Sequence, residues 1–159
     1  FTKYGGDCFI QAIAKKYYIF RLPILFGRSI KNNQFIEKML QKIKEGNKVI
    51  RVADDIISSP SYSMDIAEEV KRIVEKTLPS GLYHVVNEGK ATYFELMQEI
   101  VKNLELDAKV EKASYDDFPS KGIKNTNTPL TSEKIKPMRP WKEAIKDYTN
   151  HLKLDSKVN

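Results

Sequence analysis

Apolar residues along this chain switch repeatedly between a helical and an extended spacing, and that alternation restricts the fold more than any other feature. Phe9, Ile10, Ile13, Ala14 and Tyr17 recur at helical intervals, which predicts an amphipathic helix over residues 3–16. The stretch YYIFRLPILFG reads as a buried strand up to Leu22, then an irregular loop from Pro23 to Gly27. A helix from Asn33 turns Phe35, Met39, Leu40 and Ile43 inward and stops at Gly46. KVIRVA is a short strand, and ADDIISSPSYS a turn-rich connection. The helix in SMDIAEEVKRIVEKT buries Ile66, Val70, Ile73 and Val74, with Ser63 and Asp65 as its caps. GLYHVVN is a buried strand, followed by a helix opened by Thr92 and Glu95, a pair able to satisfy each other's free backbone N–H groups. That helix turns Phe94, Met97, Ile100, Val101 and Leu104 inward. AKVEKAS is a strand and residues 115–136 are largely loop. A last helix faces inward through Trp141, Ala144, Ile145 and Tyr148, with LDSKVN frayed. Four strands between five helices predict an α/β fold rather than a bundle or sandwich.

The 159 residues suit a single domain, 1–159, with no internal repeat or linker. The formal charge of +6 raises the question of nucleic acid. The lysines, however, are scattered among acids on helical faces, as in KMLQKIKEGNK, and no helix-turn-helix, zinc finger or aromatic RNP-like strand accompanies them. A solvated surface is the expectation, with no nucleic-acid partner. Cys8 is the single cysteine, which excludes a disulfide framework and suits a reducing, cytoplasmic compartment; on a helix, it is expected as a buried small hydrophobe. The longest apolar run is interrupted by Arg21 and too short to cross a bilayer, so no membrane partner is expected.

The residues alone assemble no complete active site. None of the seven glycines forms GxGxxG or GxxxxGK, so no phosphate-cradling loop is present. His84 lies inside an apolar strand and is expected to be packed or hydrogen-bonded, whereas His151 is expected on an exposed helix face. The neighbouring acids Asp54-Asp55 and Asp116-Asp117 read as loop carboxylates, and no metal-ligand spacing emerges.

In order and nearly end to end, the segments resemble the second half of the extended short-chain dehydrogenase/reductases, most closely the dTDP-4-dehydrorhamnose reductase type. Thr2-Lys3-Tyr4-Gly5-Gly6-Asp7 is similar to the Ser/Thr-Lys-x-x-Gly-Glu that follows the family's catalytic tyrosine. Arg21-Leu22-Pro23-Ile24-Leu25-Phe26-Gly27 resembles the strand and loop under the nicotinamide, and Asn33 with Phe35, Met39 and Leu40 resembles the helix after it. Ser59-Pro60-Ser61-Tyr62-Ser63-Met64-Asp65-Ile66-Ala67 and Gly81-Leu82-Tyr83-His84-Val85-Val86-Asn87 match two further family segments, and Pro119, Asn127, Leu130 and Lys134 fall at family spacing. Lys124-Asn125 stands where the family often has Arg-Pro, and Ile56 where it has Gln. Ser58 stands where many epimerases carry arginine, which favours the reductase branch.

The resemblance implies the C-terminal portion of a doubly wound Rossmann-like fold with its small mixed α/β substrate-binding region. The dinucleotide-binding half and the tyrosine would precede Phe1. It further implies a reductase of the kind that serves dTDP-rhamnose biosynthesis, moving hydride between NAD(P) and a 4-keto nucleotide-sugar. Lys3 would be the catalytic lysine and a cofactor contact, while Pro23, Ile24, Leu25 and Phe26 would line the nicotinamide. Asn33, Lys124, Asn127 and Arg139 would hold the nucleotide-sugar. NAD(P) belongs to the parent enzyme, with no tight cofactor binding expected of this stretch alone, and exposed sheet edges leave a homodimer open. Three other readings stand beside this one: a non-catalytic regulatory or protein-binding relative, a nucleotide-sugar epimerase or dehydratase, and a nucleic-acid-binding module.

Overall fold

A computed structural model describes residues 2–28, 34–119, 122 and 125–158, with side chains through residue 154. Its five α-helices are α1 (Thr2–Ile13), α2 (Phe35–Lys44), α3 (Ser63–Glu75), α4 (Tyr93–Leu104) and α5 (Trp141–Val158). The four strands expected from the sequence are β1 (Tyr18–Arg21), β3 (Val49–Ala53), β6 (Gly81–His84) and β9 (Lys109–Ala113). Between them lie short strands that no periodicity announces: β2 (Leu25–Phe26), β4 (Ile57–Ser58), β5 (Ser61–Tyr62), β7 (Asn87–Glu88), β8 (Ala91–Thr92), β10 (Asn127–Thr128) and β11 (Met138–Pro140).

Parallel pairing dominates, because helices or long loops connect the paired strands. β1 runs beside β6 from Tyr18↔Gly81 to Arg21↔His84, and β3 beside β9 from Val49↔Lys109 to Ala53↔Ala113. The short strands pair as β2 with β5, β4 with β10, and β7 with β11, all parallel, while β4 and β8 are antiparallel.

Two apolar clusters hold these pieces. Ile66 and Ile73 of α3 pack with Tyr83, Val85 and Ile135, and the β1 side chains Tyr18 and Phe20 close over them. The larger cluster joins Phe94, Leu96, Met97, Ile100 and Val101 of α4 to Trp141, Ala144, Ile145 and Tyr148 of α5, with Ile50 and Val52 of β3 beneath. α4 starts where the sequence places it: Thr92 Oγ1 accepts from Glu95 N–H at 3.0 Å, and Glu95 Oε2 accepts from Thr92 N–H at 2.8 Å. α2 uses the same reach-back, its Glu37 Oε2 accepting from Gln34 N–H at 2.9 Å.

Several expectations are corrected. α1 has the expected period, yet none of its residues is buried, because the described residues bring no element over its apolar face. Phe9 is 71% exposed and Ile13 77%. Cys8 is exposed for the same reason. Val74 is exposed, on the flank of α3 beside the face that buries Ile66 and Ile73. α3 takes no cap from Ser63 or Asp65: its N-cap is Tyr62, which supplies no side-chain bond. α5 continues through most of the LDSKVN stretch, to Val158.

Candidate functional site

In parallel α/β sheets, ligands gather beyond the carboxyl ends of the strands. Here that edge is marked by Arg21, the last residue of β1, whose guanidinium pairs with Asp7 of α1. A short link joins the end of α1 to the start of β1, so the two run in opposite directions. Lys3 precedes Asp7 by four residues on one helix face, which carries it about one pitch (~5.4 Å) further past the strand end. Its side chain is exposed there.

The chain leaving β1 passes through half-buried Pro23 into β2. Ile24, Leu25, Phe26 and Gly27 then form one wall of a cavity of about 220 Å³, with Gln34, Phe35, Ile36 and Glu37 as the other. The lining is apolar apart from Gln34 and Glu37, and Glu37 is engaged at the start of its own helix. Such a pocket suits a flat, weakly polar ring or a sugar face; a carboxylate in it is unfavourable to phosphate. Of the expected site residues, the structure brings Ile24, Leu25 and Phe26 together on this wall, with Pro23 just before it. Asn33 and Lys124 lie outside the described residues.

The residues 57–62, ISSPSY, act as the spine of the site. At the rear, β5 pairs with β2, and Ser61 N–H donates to Ile24 O at 3.0 Å. The rings of Phe26 and Tyr62 stack there at 5.5 Å, with Tyr148 edge-on to Phe26 at 5.5 Å. At the front, β4 pairs with β10, which sets Asn127 opposite Ile57, and Ile57 N–H donates to Thr126 O at 2.7 Å. Asn127 is exposed and accessible from that edge. A single stretch therefore carries both the Ile24–Phe26 wall and the Asn127 strand.

Buried polar groups secure this spine, and sequence reasoning missed their importance. The side chains of Ser59, Ser61 and Asn87 have no solvent exposure. Leu130 N–H donates to Ser59 Oγ at 3.1 Å, Asn87 N–H to Ser61 Oγ at 3.0 Å, and Tyr62 N–H to Asn87 Oδ1 at 2.9 Å. Asn87 Nδ2 donates to Asp65 Oδ2 at 2.7 Å and to Arg139 O at 3.1 Å. Asn87 closes the GLYHVVN pattern, so its letter was in view; its hub position depends on segments far apart in the chain.

Arg139 stands elsewhere than the other candidates. Its Nε and Nη2 donate to Asp65 at 2.8 and 2.6 Å, and its Nη1 donates to Asp147. The bond to Asp65 is the main reason its guanidinium is held above the usual arginine range, against the opposing effect of burial. It lines a different cavity, about 580 Å³ between α3 and α5, together with Tyr62, Met64, Asp65, Asp147 and His151. That space shares no described lining residue with the Ile24–Phe26 cavity.

The remaining candidates are engaged locally. His84 is half-buried, with Nδ1 3.1 Å from Thr131 O, and exposed His151 has Nδ1 3.3 Å from the Tyr62 hydroxyl. Asp54 accepts from Lys112 Nζ at 2.8 Å and Thr92 Oγ1 at 2.9 Å, and the Lys112 bond leads in holding its carboxyl below the usual range. Asp55 accepts from Ser114 Oγ at 2.7 Å and Tyr115 N–H at 2.8 Å, so both acids tie loops. Among the described residues no group of three or more His, Cys, Asp or Glu could hold a metal ion, and no helix is long and apolar enough to cross a membrane.

Known proteins resemble this chain in sequence and fold. Spore coat polysaccharide biosynthesis protein SpsK of Bacillus subtilis is 29% identical over 92% of this chain and 52% of its own length. The dTDP-4-dehydrorhamnose reductase of Mycolicibacterium smegmatis is 25% identical over 92% of this chain and 46% of its own. The chain thus spans about half the length of the curated relatives it matches. A solved dTDP-4-dehydrorhamnose reductase of Bacillus anthracis, in complex with NADP, superposes with a TM-score of 0.86 at 25% identity, over 94% of this chain and 54% of that one. The architecture is thus a mixed α/β fold that matches about half of that Rossmann-like structure. The model of the RmlD substrate binding domain matches residues 1–154, nearly the whole chain, and this protein belongs to that family.

Proposed function

We propose that residues 1–159 form one domain that binds the nucleotide-sugar in an NAD(P)-dependent reductase acting on a 4-keto sugar such as dTDP-4-dehydrorhamnose. The observation that carries the reading is the spine at 57–62, which holds an apolar cavity wall and the Asn127 strand together near the carboxyl end of β1. In this reading Pro23, Ile24, Leu25 and Phe26 line the nicotinamide side, and the apolar wall fits that ring. Bound NAD(P)H supplies the hydride that reduces the sugar carbonyl carbon. Lys3 supplies positive charge beside the proton donor, a tyrosine in the family pattern, favouring its phenolate form and so easing proton transfer to the carbonyl oxygen. Asn33, Lys124 and Asn127 hold the sugar nucleotide, with Lys124 toward the diphosphate, whose charge needs cationic donors.

Isothermal titration of this polypeptide with dTDP, UDP and NADP⁺ tests the reading. Saturable heat with a nucleoside diphosphate, lost in Asn127→Ala, is the expected result. Absence of binding to both dTDP and UDP would overturn it.

A further inference from the structure

The Arg139 node is built too completely for a surface arginine, and its bonds lead inward. All three nitrogens of its guanidinium donate to carboxylates: two to Asp65, one to Asp147. A bidentate arginine–carboxylate pair fixes orientation as well as proximity. Asp65 retains only 12% of its side-chain exposure, so the arginine takes the place of most of its contact with water. Asp65 Oδ2 also accepts from Asn87 Nδ2 at 2.7 Å, and the carbonyl of Arg139 accepts from the same nitrogen at 3.1 Å. Arg139 thereby sets the orientation of the Asn87 amide from two directions. The opposite end of that amide, Oδ1, accepts the backbone N–H of Tyr62 at 2.9 Å. Tyr62 is the last residue of the spine, in β5, and faces Phe26 of β2.

We infer that Arg139 is a positioning residue for the candidate site: through Asp65 and Asn87 it holds the spine at 57–62, and with it the Ile24–Phe26 wall. This rests on the functional reading above only for what the wall binds; the mechanical link itself does not. Three of the five N–H groups of this guanidinium are spent on carboxylates and two acids offset its charge, which disfavours it as a diphosphate ligand, and its cavity is not the one the wall lines. The anchoring is distributed across four places in the chain. Asp65 belongs to α3, Asn87 to β7, Arg139 to β11 and Asp147 to α5. One cation therefore fastens the elements that meet behind the spine.

Amide hydrogen exchange on the full polypeptide, with and without dTDP, tests the inference in Arg139→Met and Arg139→Lys. In Arg139→Met, exchange at Ser61, Tyr62 and Phe26 should rise about tenfold, as expected for local opening, while Ile50 and Val110 in β3 and β9 stay unchanged. Affinity for dTDP should fall in parallel, by about tenfold. Arg139→Lys keeps one ion pair and should recover part of both effects, which a loss of bulk packing alone would not produce. Unchanged exchange at Ser61 and Tyr62 in Arg139→Met would overturn the inference; if dTDP binding weakened all the same, Arg139 would be a direct ligand and the functional reading would stand. A wild-type chain that binds no dTDP would remove the functional reading, yet the exchange rates would still decide the positioning role. Should Arg139→Met unfold, with exchange rising in β3 and β9 as well, Asp147→Asn offers a milder release. It should raise exchange at Ser61 and Tyr62 by about threefold, and no rise there would equally overturn the link.

Discussion

At the scale of single residues, the informative groups are the buried ones that carry a polar tip. Tyr148 is 3% exposed and packs between Phe26 and Tyr62. Burial, aided by the charge of Glu37 and by Tyr62, pushes its phenol up to about 12 from the ordinary 10.0. The folded chain thus holds that proton more tightly than the unfolded chain. The stability linked to it is complete below pH 10 and drains away as pH rises toward about 12. Tyr148→Phe should therefore flatten the alkaline loss of stability, with Tyr62, also raised by burial, leaving a residual slope. Urea midpoints measured from pH 8 to 11 would check this, and parallel slopes for the two proteins would contradict it. Asn87 teaches the complementary lesson about legibility. Its letter stands in a recognisable pattern, but its bonds reach 25 residues back to Tyr62 and 52 forward to Arg139. A side chain's neighbours in sequence carry no trace of such distant partners. Arg139 shows the same limit: its partner Asp65 lies 74 residues away, so its sequence neighbours give no sign of that ion pair.

At the scale of elements, the helices were legible and the short strands were not. A helix of ten or more residues repeats its apolar face several times, whereas a two-residue strand has no period to repeat. The capping pair Thr92 and Glu95 was readable because both partners sit within one turn. The seating of β2 against α3 was not readable, and it turns on Gly27. With φ at +154°, Gly27 lies so close to the start of α3 that an added Cβ would stand 2.0 Å from Ser63 Oγ and 3.1 Å from its Cβ. Gly27→Ala should cost about 1–3 kcal/mol, from backbone strain and from the displaced helix start. Combining it with Ser63→Gly removes the clash and leaves the strain, so the double variant should regain part of the loss. Denaturant titration of the four proteins closes the cycle, and strict additivity would deny that the two positions meet.

At the scale of the whole molecule, α1 is the element whose sequence and surroundings disagree. Its period demands cover, yet Tyr4 is 65% exposed, Phe9 71% and Ile13 77%. Periodicity reveals that a helix face is apolar; it does not reveal which element covers that face. Contiguous apolar surface of this kind drives association in water. This polypeptide should self-associate with rising concentration, and Phe9→Glu combined with Ile13→Glu should suppress it. Because neither side chain is buried, the unfolding midpoint should move by no more than about 0.5 kcal/mol. Sedimentation velocity across a concentration series would report the difference, and equal association of both proteins would place the contact elsewhere. The spine at 57–62 has another consequence, for how such a protein can change its preferences. Since the Ile24–Phe26 wall and the Asn127 strand are fastened to one ribbon, neither can slide without dragging the other. On the function proposed above, laboratory evolution toward new substrates should accumulate exchanges at exposed positions such as Asn127. Insertions or deletions at Ser59-Pro60 should be purged, because they would misregister both sides in a single step.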